Sequence, residues 1–120
     1  MTPTHADRAS LALYPELGKL ITLRDNGRWQ FMPKIQRGGV ELVAGFAVWL
    51  PEGWTDAIAL ANRDDAKAYR CDPAGGEVWG REGGLAEVLD ALTELPAPHE
   101  PGAPRLVKGK ARRLWVPRMT

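Results

Sequence analysis

Val40-Glu41-Leu42-Val43-Ala44-Gly45-Phe46-Ala47-Val48-Trp49-Leu50 decides the fold class. Val40, Leu42, Ala44, Phe46, Val48 and Leu50 recur with a period of two, so they fall on one face of an extended strand. Glu41, Val43, Gly45, Ala47 and Trp49 fall on the other. Upstream, Trp29, Phe31, Pro33 and Ile35 alternate with Arg28, Gln30, Met32 and Lys34. Pro33 has no N–H to donate to a ladder, which places this strand at an edge or breaks it there. Gln36-Arg37-Gly38-Gly39 between the two runs is a turn, and the pair reads as a hairpin.

Downstream the pattern repeats at short range. Pro51-Glu52-Gly53 turns the chain into a third strand, Trp54 to Ala61, and Asn62 to Asp65 is a polar turn. Ala66 to Cys71 is a short fourth strand. Asp72-Pro73-Ala74-Gly75-Gly76 is a strong turn, because each of these residues suits a reversal for its own backbone reason. Glu77 to Arg81 completes a fifth strand.

Helices flank the strands. Pro15 suits a first helical position, since its missing N–H has no partner there in any case. Glu16 faces the positive end of the helix dipole, and Leu17, Leu20, Ile21 and Arg24 form one stripe that ends at Asp25-Asn26-Gly27. A short helix over Ala6 to Leu13 precedes it. Gly83-Gly84 leads into Leu85 to Leu95, where Leu85, Val88, Leu89, Leu92 and Leu95 make an apolar stripe, and Pro96 and Pro98 stop it. The order implies an α+β fold: an antiparallel meander of four to five strands with an N-terminal and a C-terminal helix packed on one face. Residues 1–95 form this domain. Residues 96–120 form a proline-bearing, extended tail docked on the domain or on a partner.

At 120 residues the chain has the size of one domain. Its 44% hydrophobic and 26% charged content is that of a globular protein. A single cysteine, Cys71, excludes an intramolecular disulfide. With no signal-like run in Met1 to Ser10 and no span of eighteen apolar residues, the expectation is a cytoplasmic protein that does not enter a membrane. The net charge of +1 is uneven. Arg105, Lys108, Lys110, Arg112, Arg113 and Arg118 crowd the tail against Glu100 alone, whereas acids outnumber bases in residues 1–97.

Catalytic chemistry finds little footing. Nucleophilic catalysis needs a base held beside Ser, Cys or Thr, and the histidines are His5 and His99, both away from rigid elements. One Cys and two distant His do not make a zinc site, so neither metal nor cofactor is expected. Gly75-Gly76 and Gly83-Gly84 lack a Walker lysine and the G-x-G-x-x-G spacing. Glu41, Asp56, Glu77 and Glu82 lie on or beside strands, but their spacing does not imply convergence, and solvated strand faces account for them.

Two features point to binding. If the second helix covers the face of Phe46, the other face presents Val43, Ala47 and Trp49, with Ala57 and Ala59 from the next strand, and such a face needs a cover. In the tail, Leu106 and Val107, then Leu114 and Trp115, are apolar anchors interleaved with Lys108, Arg112 and Arg113. The expected function is a non-catalytic interaction module, an adaptor, immunity-like or regulatory subunit that binds another protein or a second copy of itself. The alternative is a nucleic-acid-associated protein whose tail charges meet phosphates while Trp115 stacks on a base.

Leu23-Arg24-Asp25-Asn26-Gly27-Arg28-Trp29-Gln30-Phe31, Gly53-Trp54-Thr55-Asp56, Leu85-Ala86-Glu87-Val88 and Pro101-Gly102-Ala103-Pro104-Arg105-Leu106-Val107 resemble a family of small proteins from high-GC, actinobacterial-type bacteria. Eleven Arg against five Lys agree with such a source. That family has no established activity, so the resemblance implies no catalytic residues.

Overall fold

The computed structural model describes residues 5–23, 29–32, 35–107 and 109–110. Helix α1 (His5–Leu13) leads through a 3-10 turn (Pro15–Leu17) into α2 (Gly18–Leu23). Strands β1 (Gln30–Phe31), β2 (Ile35–Arg37), β3 (Val40–Trp49), β4 (Trp54–Asn62), β5 (Asp65–Cys71) and β6 (Gly76–Gly83) follow. Helix α3 (Leu85–Glu94) and a two-residue strand β7 (Gly109–Lys110) complete the order. All pairings are antiparallel, and β1 and β2 both lie against β3, followed by β4, β5, β6 and β7. This is the α+β meander with helices before and after the strands that the alternation implies. No helix among the described residues is long and apolar enough to cross a membrane. The expected helix end at Asp25-Asn26-Gly27 and the expected break at Pro33 lie outside the described residues.

Turn chemistry fixes the register. Arg37 pairs with Val40 across Gly38 and Gly39, whose φ angles of 59° and 79° are those a two-residue primed turn demands. Phe31 lies opposite Gly45, whereas Ile35 lies opposite Leu42. The pairing therefore slips by one residue between β1 and β2, and a slip of one moves a residue to the opposite face. At Gly45 a Cβ would stand 2.6 Å from two ring carbons of Phe31, so only glycine lets that ring lie flat on the strand.

The helices lie on the face of β3 opposite to the one expected. Val43 pairs with Leu60, and Gly45 with Ile58, so Val43, Ala47, Ile58 and Leu60 share a face with Ala66 and Ala68 of β5. Onto them pack Leu17 and Leu20 from the N-terminal segment and Leu85, Val88, Leu89 and Leu92 from α3. Burying each of these leucine and valine side chains contributes about 1.5–3 kcal/mol. Gly84, ahead of α3, supplies no side-chain cap, a device worth about 1 kcal/mol. Packing therefore holds this helix in place. The other face carries a second buried cluster: Ala44, Phe46, Ala57, Ala59, Tyr69 and Cys71, with Met32 against it.

Candidate functional site: a buried ion pair and the apolar end of the sheet

The helix-covered face is apolar until the end where β3 stops and β4 begins. There Asp56 lies directly across from Arg70, and both are 0% exposed. Cross-strand pairing brings their Cβ atoms to about 5 Å, within reach of a two-pronged contact. Arg70 Nε donates to Asp56 Oδ1 at 2.5 Å, and Nη2 donates to Oδ2 at 2.9 Å. Arg70 Nη1 donates to the Pro96 carbonyl at 2.5 Å. Trp49 Nε1 reaches diagonally across the pair and donates to Asp56 Oδ2 at 3.1 Å. The guanidinium carbon also lies 5.8 Å from the Trp49 ring centroid. Ala47, opposite Asp56, leaves room for these heads. Trp54 stands opposite Trp49, and Trp79 opposite Arg70, so three half-buried indoles surround the pair.

Each nitrogen of Arg70 is engaged, which is what two desolvated charges need to offset the loss of water. The chemistry is that of a clamp. Through Pro96 it fixes the chain leaving α3 to the sheet. From there Glu100 Oε1 accepts from Ala97 N at 2.8 Å, and Arg105 Nη2 donates to the Pro98 carbonyl at 3.2 Å. Ala97 and Pro98 are buried. The segment then returns to the sheet, where Gly109 and Lys110 pair with Glu77 and Gly76 in the same chain.

That sheet end is apolar on its outside. The turn after β3, which contains a cis Leu50–Pro51 peptide, exposes Leu50 by 80%. Leu106 is 85% and Val107 55% exposed, and Val48 is also exposed. Val107 lies at the start of β6, because a Cβ on Gly76 would meet its Cγ1 at 2.7 Å. Val48, Leu50, Leu106 and Val107 are four of the five exposed large apolar side chains among the described residues. Val48 and Leu50 lie where β3 ends and Val107 lies beside Gly76 where β6 begins, the same end of the sheet with two strands between them.

The residues expected to bind are thus divided. Val43 and Ala47 are core residues beneath the helices, at 3% and 0% exposure, and their face has its cover within the chain. Ala57 and Ala59 lie on the opposite face with Ala44 and Phe46. Trp49 is half-buried and supports the ion pair. Leu106 and Val107 are exposed beside β6. Lys108, Arg112, Arg113, Leu114 and Trp115 lie outside the described residues. Among the carboxylates, Asp56 belongs to the clamp, Glu41 accepts from Gln36 at 3.3 Å, and Glu82 pairs with Lys67 at 3.9 Å. Glu41 on β3 and Glu77 on β6 are separated by two intervening strands, about 14 Å across the sheet. Among the described residues, no group of His, Cys, Asp and Glu has an arrangement that would hold a metal ion.

On the second face, burial, then the neighbouring Glu77 and Asp72 charges, push the Cys71 thiol up to about 11. Burial also raises the Tyr69 phenol. A thiol held protonated is a poor nucleophile, so Cys71 behaves as a packing residue.

No protein family, curated protein or solved structure matches this chain.

Proposed function

We propose that this protein works by binding another protein rather than by catalysis, through the sheet end that carries Val48, Leu50, Leu106 and Val107. The observation that carries the reading is the grouping of these exposed apolar side chains on a frame locked by Asp56, Arg70 and Trp49. Exposed apolar side chains gathered at one end of a domain mark interaction sites more often than scattered single residues do. A rigid support favours this use, because side chains already held in place lose less freedom on binding. The saturated ion pair supports the non-catalytic part: its donors and acceptor oxygens are bound to one another rather than presented to a substrate. A protein partner, including a second copy of the chain, satisfies such a surface.

The test substitutes Leu50→Asp and Leu106→Asp together, both at positions where a charge meets water in the free protein. Sedimentation velocity of the purified chain reads self-association, and capture from native lysate, with and without nuclease, reads other partners. Loss of association with an unchanged circular dichroism spectrum is the expected result. Association that survives the double substitution overturns the reading. Recovery that depends on nucleic acid and falls steeply with salt would transfer it to the tail charges.

A further inference from the structure

The two edges of the sheet end differently. On one side β1 and β2, strands of two and three residues, lie against β3. On the other, β6 runs for eight residues, and among the described residues β7 covers its first two, Gly76 and Glu77. Very short strands blunt an edge, whereas a long one offers its backbone to another chain. Gly80, Arg81 and Glu82 are exposed, so this stretch of β6 meets water.

The phase of the ladder decides which backbone groups point outward. Met32 N donates to the Ala44 carbonyl at 2.9 Å, so Ala44 and, two residues on, Phe46 turn their backbone groups away from β4. In an antiparallel pair, two opposite residues either bond to each other or both turn away. Phe46 lies opposite Ala57, Ala57 opposite Tyr69, and Tyr69 opposite Gly80. Carried across these pairs, the alternation aims the N–H and C=O of Gly80 off the far edge. The charges beside it are held to their own chain, Arg81 by Glu87 at 3.8 Å and Glu82 by Lys67 at 3.9 Å.

We infer that a second copy of this chain occupies this edge, β6 pairing antiparallel with β6 about a two-fold axis at Gly80, which rests on the binding role proposed above and gives it a partner and a main-chain contact. Phase and charge select the register. An axis between two residues sets an outward-pointing residue against an inward-pointing one. An axis at Trp79 lays the partner strand over Glu77 and Gly76, which Gly109 and Lys110 already occupy. An axis at Arg81 or Glu82 sets like charges against each other. At Gly80, Trp79 of each protomer lies opposite Arg81 of its partner, a cation beside an indole on both sides of the axis. The partner strand then runs out against β7, beside Leu106 and Val107, so the pairing is continuous with the apolar sheet end.

Sedimentation velocity over a concentration series compares the parent chain with Gly80→Pro and with Leu50→Asp/Leu106→Asp, each checked for its fold by circular dichroism. Proline removes an N–H that faces solvent and leaves the ladder to β5 in place. The expected result is a concentration-dependent dimer in the parent and a dissociation constant raised on the order of tenfold or more by Gly80→Pro, since two hydrogen bonds are lost per dimer. A parent chain that stays monomeric up to about 1 mM overturns the inference. A dimer that survives Gly80→Pro but not the double aspartate change also overturns it, and leaves the partner surface standing. The reverse outcome keeps the edge pairing and removes that surface. Should Gly80→Pro unfold, cysteine cross-linking decides. A Cβ at Gly80 meets the movable end of the Glu77 side chain at 3.1 Å and is tolerated. In this register the two residues at position 80 have Cα atoms about 5.5 Å apart, within disulfide reach, whereas those at position 82 stand about 14 Å apart. A disulfide dimer formed by Gly80→Cys and not by Glu82→Cys sustains the inference. Equal yields from both, or none from either, overturn it.

Discussion

Arg70 meets Asp56, and Arg63 meets Glu16, through the same two-pronged geometry, but one pair is sealed and the other is wet. The first joins neighbouring strands with both side chains at 0% exposure. The second joins the β4–β5 turn to the 3-10 turn, with Nε on Oε2 at 2.7 Å and Nη2 on Oε1 at 3.2 Å, its side chains 57% and 37% exposed. Similar distances do not mean similar energies. In water the attraction between exposed charges is weak, and water stands ready to replace either partner. In the core nothing replaces a lost partner, so the pair is far more sensitive to a single truncation than its net contribution suggests.

The largest expected effect follows from that asymmetry. Asp56→Ala or Arg70→Met alone leaves a buried charge unmatched and lowers unfolding stability by about 3–5 kcal/mol, read by urea denaturation. Asp56→Leu combined with Arg70→Met removes both charges and loses much less than either single change. If the double variant loses the sum of the two, the clamp is not the coupled unit described here. A loss of order in the segment from Pro96 to Arg105 accompanies Arg70→Met, because that side chain also holds the Pro96 carbonyl. Hydrogen exchange of those amides checks it.

A smaller effect belongs to Trp49. Trp49→Phe keeps an aromatic ring beside the guanidinium but removes the indole N–H that binds Asp56 Oδ2. The expected loss is about 1.5–3 kcal/mol, the range for a hydrogen bond to a charged group; Oδ2 keeps its bond from Arg70 Nη2. In an Asp56→Leu/Arg70→Met background the same substitution has little effect, because the carboxylate it served is gone. A loss of equal size in both backgrounds makes Trp49 a packing residue and separates it from the clamp.

Strands β3 to β6, their turns and α3 were legible because glycines and prolines punctuate them and the apolar period changes from two to 3.6. The face of the sheet that meets the helices was not. On β3 Val43 and Ala47 are as apolar as Ala44 and Phe46, since both faces are buried, and alternation then carries no direction. The clamp left a signal that single-strand reading passes over. Asp56 falls in phase with Ile58 and Leu60, and Arg70 falls in phase with Ala66 and Ala68. Two opposite charges, each in the buried phase of adjacent strands, imply a cross-strand ion pair once the meander is granted. Strand β7 leaves no such trace, because two residues do not make a period.

The smallest effect is expected at Glu16, and it separates the two pairs by pH and salt rather than by size. The Arg63 guanidinium, donating directly to the carboxylate, holds Glu16 below its ordinary range. A carboxyl lowered in the folded state favours folding above its unfolded value, about pH 4.3, and that contribution disappears as pH falls through the lowered value. Glu16→Gln should therefore match the parent chain in strong acid and fall slightly behind it at neutral pH. The gap should close in about 1 M salt, where the screening length is about 3 Å. The loss in Asp56→Ala should persist there, since no ions enter a core with both side chains at 0% exposure. Thermal unfolding of both variants in low and high salt makes the comparison. A deficit of Glu16→Gln that survives high salt would place this pair with the sealed one. Its source would then be packing around Arg63, whose guanidinium carbon lies 5.2 Å from the Tyr14 ring centroid.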